Sequence, residues 1–173
     1  MTPDSQLGSI ERHGNHTVLR FQRSLAHHPE KVWQALTESE HMKSWLPVDM
    51  IGVRSAGATV SMVFWPDLVE KKGLDPDAGT AVISEWDPPN VFEWVWHGSR
   101  VRFELTRGGE GCLLELTVEI ESDDPDTIID NAGGYHQWAD HLTMLLDDGV
   151  SPSIADAEPQ QREDQYRSLI ETL

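Results

Sequence analysis

Hydrophobic positions along this chain change their period several times. Leu19, Phe21 and Leu25 recur at even spacing within Thr17–Leu25, the period of a strand with one buried face. With Ile10 to Arg12 on the far side of Gly14-Asn15 they predict a hairpin leading into a long first strand. After His27-His28, Pro29 opens a stretch in which Val32, Trp33 and Leu36 follow helical spacing, and Met42, Trp45 and Leu46 continue it beyond a break near Ser39. Two short helices follow from this, with Pro29 at a first helical position where its missing N–H costs nothing. From Met50 to Ile120 glycines and prolines cut the chain into short β-rich runs, read as the strands of a meander. Phe92, Trp94 and Trp96 share one face, as do Val101, Phe103 and Leu105, and Leu114, Leu116, Val118 and Ile120. Glu93, Arg102, Glu104, Glu115, Thr117 and Glu119 take the other.

A sheet apolar on one side needs a cover. Helical spacing returns after Asp123-Asp124-Pro125-Asp126, where Tyr135, Trp138, Leu142, Leu145 and Leu146 share one face of a helix ending near Gly149 and either Asp124 or Asp126 supplies its cap. The pattern predicts an α+β domain over residues 1–149. Residues 150–173 form a tail, with VSPSIADAEPQQ as linker and Tyr166, Leu169, Ile170 and Leu173 as a weak amphipathic helix, packed on the domain or on a second copy.

Particular words fill this order. RFQRSLAHHPEKVWQALTESEHMKSWL, with Pro29 starting the helix, Val32-Trp33, Ala35-Leu36-Thr37 and Trp45 closing the second helix, resembles the opening of the heat-shock-protein-90 ATPase activator-like branch of the START-like, or SRPBCC, superfamily. ISEWDPPNVFEWVW is similar to its strand, proline-rich turn and aromatic strand, and GYHQWADHLTMLLDDG to its last helix, so that the resemblance runs from Thr17 to Gly149. It implies the helix-grip fold: a curved antiparallel sheet wrapped around a long C-terminal helix, with two short helices after the first long strand. It also implies an apolar space between helix and sheet. Trp138 departs from the pattern, standing where a smaller apolar residue is expected and narrowing that space.

The candidate lining is Phe92, Trp94, Trp96, Phe103, Leu116 and Val118 from the sheet and Tyr135, Trp138 and Leu142 from the helix. Each ring brings about 150–250 Å² of apolar surface, and Trp or Tyr adds a polar tip. These residues either border a site for an apolar or aromatic small molecule or simply fill the core. Arg23 shares parity with Phe21 and Leu25; it either points inward as a polar anchor, which needs a partner or a ligand anion, or snorkels to the sheet edge. The resemblance leaves two alternatives to ligand binding: a chaperone-associated protein-interaction module, as homodimer or with another protein, and a cyclase-like enzyme using the same space.

Charge narrows the partners. Thirty acidic against thirteen basic residues give a net charge of −17, a field that repels nucleic acid and anionic lipid. No apolar run reaches the roughly 18 residues of a membrane span, and the first sixteen residues lack a basic, apolar leader, so the expected location is cytoplasmic. The single Cys112 reads as a small buried strand residue. No cofactor or metal is expected: of the eight histidines, His27-His28 lack further ligands, and His136 and Asp140, four apart, fall opposite Trp138 and are expected to face water. His141 falls on the flank of the buried stripe, either reaching the rim of the apolar space or standing as a partly covered surface residue. Glu93, His97, Arg102 and Glu104 are the candidate acid–base groups, and the parity of the three charged ones assigns them to cross-strand pairs on the outer face. No nucleophile beside a base is visible.

Overall fold

The computed structural model describes residues 6–154 and 160–173; part of the linker-like stretch, residues 155–159, and residues 1–5 lie outside it. The elements run β1 (Ser9–His13), β2 (His16–Leu25), α1 (Pro29–Thr37), α2 (Ser39–Met42), β3 (Val48–Ile51), β4 (Thr59–Phe64), α3 (Pro66–Lys72), β5 (Asp77–Asp87), β6 (Val91–Trp96), β7 (Ser99–Gly108), β8 (Gly111–Ile120), α4 (Pro125–Asp148) and α5 (Gln160–Ile170). All eight strands pair antiparallel in one open sheet, in the order β1-β2-β8-β7-β6-β5-β4-β3. Consecutive strands are neighbours except that β2 pairs with β8 and not with β3, which stands at the far edge.

Register carries the two-residue period across the sheet. Phe21 lies opposite Leu116, Leu116 opposite Phe103, and Phe103 opposite Phe92, so one row of large apolar side chains faces α4. On the outer face Glu93 lies opposite Arg102, and Glu104 opposite Glu115. The hairpin between β6 and β7 turns on His97 and Gly98, at φ 50° and 79°, the double left-handed conformation of a two-residue turn.

Asp124, rather than Asp126, caps α4: its carboxylate accepts from the Thr127 N–H at 2.9 Å and hydroxyl at 2.7 Å. Gly149 ends the helix in a left-handed conformation, its N–H donating to the Leu145 carbonyl. The sequence reading has strands and turns only between Met50 and Ile120. The structure adds α3 there, started by Pro66 and stopped by left-handed Gly73. With Leu68 as its one buried residue, so short a helix leaves no periodic signal. No described helix is long and apolar enough to cross a membrane.

Candidate functional site

Rings from α1, β5, β6, β7 and α4, with Trp45 from just beyond α2, meet between sheet and helix in an unbroken chain. Trp33 and Trp86 are 5.1 Å apart between centroids, and Trp86 lies 5.1 Å from Phe92. Phe92 then contacts Trp94 at 4.8 Å, Trp94 contacts Phe103 at 5.8 Å, and Phe103 contacts Trp45 at 5.5 Å. Trp45 reaches Trp138 at 5.9 Å, and Trp138 ends the chain against Tyr135 at 4.5 Å. Tilted and edge-on contacts of this kind suit the ring quadrupole.

Of the nine residues expected to line an apolar space, Phe92, Trp94, Phe103, Leu116, Val118 and Leu142 are at most 1% exposed: they touch each other rather than a space that admits water. Trp45, absent from that set, is the reason. It enters from the end of α2, held by its indole N–H on the Ala35 carbonyl at 2.9 Å, and with Trp138 fills the volume. Trp96 is half-buried, its indole N–H on the Ala78 carbonyl at 2.9 Å. Tyr135 and Trp138 remain at the boundary, lining a shallow depression of about 190 Å³ with Asp130, Asn131 and Gly134. Burial pushes the Tyr135 hydroxyl well above its ordinary titration range. The Trp94 indole N–H is buried and finds no acceptor among the described residues.

A second buried group is polar. His136 and Asp140 do not face water: His136 is fully buried, because α5 and the residues before β1 cover that flank of α4. The Gly8 N–H donates to the Tyr166 hydroxyl at 2.7 Å. That hydroxyl lies 2.6 Å from Nδ1 of His136, and Nε2 of His136 lies 3.2 Å from the Asp140 carboxylate. With the Tyr166 oxygen accepting from Gly8, its own proton is directed to Nδ1, which leaves Nε2 as the donor to Asp140. Gly8 has to be glycine, since a Cβ there would stand 2.6 Å from the Phe21 ring. Arg23 points inward, as its parity implied, and finds its partner in Asp140 at 3.1 Å, with the Gln22 carbonyl at 2.8 Å. Arg162 of α5 adds a bond to Asp140 at 3.3 Å. Burial acts to raise the Asp140 carboxyl, but His136 and Arg23 outweigh it and hold the group below its ordinary range. Burial likewise pushes Tyr166 up to about 12.

The other candidates stay apart. His141 is more buried than its flank position suggested, with Nδ1 3.1 Å from the Ser44 carbonyl. His27 pairs with Asp147 at 2.9 Å, while His28 meets Arg107 at 3.4 Å. Both border an open depression of about 880 Å³ that also exposes the edge of Cys112, whose thiol burial pushes up. On the outer face Arg102 bonds Glu85, Glu93 and Glu104 at 2.5, 3.0 and 3.2 Å. Burial acts to raise Glu93, yet bonds from Ser84, Arg102 and Arg100 leave it lowered. His97 is tied to the Ala78 carbonyl at 2.9 Å. Among the described residues, Glu38, Glu40 and His41 bring one metal-binding atom each within 4.8 Å of the others, on the surface of α2.

The fold and its words correspond to one known group. The family model described as "Activator of Hsp90 ATPase homolog 1-like protein" matches residues 26–147. This chain belongs to that family. Among solved structures it is similar to a conserved protein of unknown function from Enterococcus faecalis (14% identity, TM-score 0.76, covering 96% of this chain and 91% of that one). A protein from Bordetella parapertussis matches at 24% identity with TM-score 0.69, covering 94% and 90%. The Aha1 dimer from Colwellia psychrerythraea matches at TM-score 0.58, covering 81% and 98%. At such identities these relatives share the fold, and fold alone does not assign function. No curated protein matches this chain.

Proposed function

We propose that this domain binds an apolar or aromatic small molecule between α4 and the concave face of the sheet, in a space that opens when Tyr135 and Trp138 move aside. The Trp94 indole N–H carries this reading: it is a buried donor with no acceptor among the described residues, set between Phe92 and Phe103. Leaving such a group unpaired costs about 1–3 kcal/mol, which a ligand oxygen placed against it returns. Two neighbours support an opening at this end. Tyr135 and Trp138 already border a depression, and Gly133-Gly134 precede them inside α4, each weakening a helix by about 1 kcal/mol relative to alanine. The ligand is then an uncharged ring system with at least one acceptor, because Arg23 and Asp140 neutralise each other on another flank.

The test uses Nile red and flavone as neutral probes. Binding is expected to shift tryptophan emission, and Trp94→Phe is expected to weaken flavone, which has a carbonyl, while leaving the protein folded. Failure of both probes to bind the parent protein, with no exchange broadening at Tyr135 and Trp138 in NMR spectra, would leave a solid core and end this reading. A second reading, contact with another protein chain, draws on the family and on the relative described as a dimer; sedimentation at low and high salt separates it, since contacts made by an acidic surface weaken as salt screens them.

A further inference from the structure

The outer face of the sheet carries a groove that the ligand reading leaves unused. It measures about 390 Å³, the lower end of the range for a site that holds one small molecule. Ile51 and Val63 form its floor; Asp49 lies opposite Val63 in register, and this set alternates with the buried Val48, Met50 and Met62, which places it outside. Phe64 and Trp65 carry the chain out of β4, and Pro66 and Val69 of α3 make the facing wall. The walls are preset: the Trp65 indole N–H donates to the Leu46 carbonyl at 2.8 Å, and the proline ring fixes the entry to α3.

Its polar lining has one sign. Among the described residues of the lining, Asp49 and Glu70 are the charged ones. Asp49 is occupied, accepting from the Ser39 hydroxyl at 2.6 Å with Arg54 at 3.7 Å. Glu70 has no ion-pair partner among the described residues, and the basic pair Lys71-Lys72 of α3 lies off the lining. Two aromatic residues and a free carboxylate around an apolar floor form the combination that recognises an organic cation, through ring quadrupole and charge together. We propose that this groove binds a small amphiphilic cation, an apolar body with an ammonium head against Phe64, Trp65 and Glu70. The net charge of −17 draws such a ligand in. A volume of about 390 Å³ suits one small molecule rather than a peptide strand.

Benzyltrimethylammonium, titrated into the full chain, is the probe, with phenylmethanesulfonate of similar shape and opposite charge as its control. The expected result is saturable shifts of the Trp65 indole and Val63 and Phe64 amide resonances for the cation alone. Glu70→Gln, on the exposed face of α3, should weaken binding about two- to fivefold at low salt and change little at high salt. Val69→Arg should abolish it with the melting temperature kept. Equal binding of cation and sulfonate, shifts confined to other residues, or a Glu70→Gln variant as tight as the parent would each overturn the proposal. So would silence toward the cation joined to the same shifts from an apolar peptide flanked by lysines, which would make the groove a polypeptide site.

Discussion

Helix α4 is buried on two flanks by opposite chemistry. Toward the sheet it offers Trp138 and Leu142 to a chain of rings whose contacts are set by volume, and where, among the described residues, the Trp94 indole N–H is the fully buried polar atom without a partner. Toward β2 and α5 it offers His136 and Asp140 to Arg23, Arg162 and Tyr166, each held by specified polar contacts, with Arg23 Nε the fully buried atom left without a partner among the described residues. Apolar interiors tolerate exchange among side chains of similar volume, whereas a buried polar network fails when one member leaves its partner exposed to nothing. The first flank is therefore the one that tolerates repacking; the second holds α4, α5 and the N-terminal segment in one register.

The largest effects should come from the members each flank can least spare. Asp140→Ala leaves Arg23 as an uncompensated buried cation and is expected to cost about 3–5 kcal/mol in urea unfolding. Trp94→Ala removes a packed ring and is expected to cost about the same. The two differ in rescue: indole added in solution should restore stability to the Trp94 variant by refilling the gap, and do nothing for the Asp140 variant. If Asp140→Ala costs less than about 1 kcal/mol, the polar flank is no more demanding than the apolar one and the contrast collapses. Tyr166→Phe, which strips the acceptor of Gly8 and the donor to His136 while keeping the ring against Phe21, should cost about 1–3 kcal/mol and raise amide exchange in α5.

Acid should separate the flanks without mutation. The folded-state titration of Asp140 lies below its ordinary 3.8, so its contribution is complete above that value and is lost as pH falls through the lowered one. Stability should hold at mildly acid pH and decline below about pH 4. In Asp140→Asn that part of the decline should be gone. An unchanged acid limb in this variant would place the sensitivity elsewhere, with Glu93, also lowered from its ordinary value, as the next group to replace.

The sheet, the two early helices and the apolar face of α4 were legible because period and parity are local properties: Phe92, Trp94 and Phe103 lie inward as their spacing required. Arg23 was legible as a problem, its inward parity demanding a partner, but the partner is 117 residues away and no spacing rule reaches it. His136 and Asp140 were misread for the same reason. A helical wheel separates one face from its opposite, and it cannot see that α5, a polar helix with one fully buried Tyr166, covers the far side. A filled core was one of the two sequence alternatives, but Trp45 was not among the residues assigned to it, because it reads as the end of a short helix while its ring is fully buried. The cation groove needed α3, which leaves no period to read.

The smallest expected effect belongs to the outer face, where charges are as dense as on the polar flank of α4 but lie against water. Arg102 gathers Glu85, Glu93 and Glu104, and Glu104 is 43% exposed in its side chain. Solvent screens such a pair, and holding two long side chains in place costs entropy, so exposed bridges contribute about 0.2–1 kcal/mol. Glu104→Gln should therefore change urea stability by no more than about 1 kcal/mol, and by less still in 0.5 M salt. Arg102 keeps two carboxylates in that variant, which limits the loss further. A cost above about 2 kcal/mol, insensitive to salt, would mean that the ladder acts as one unit around the nearly buried Glu93. Burial depth, rather than the number of charges gathered, would then no longer be what distinguishes the flank of α4 from the open face of the sheet.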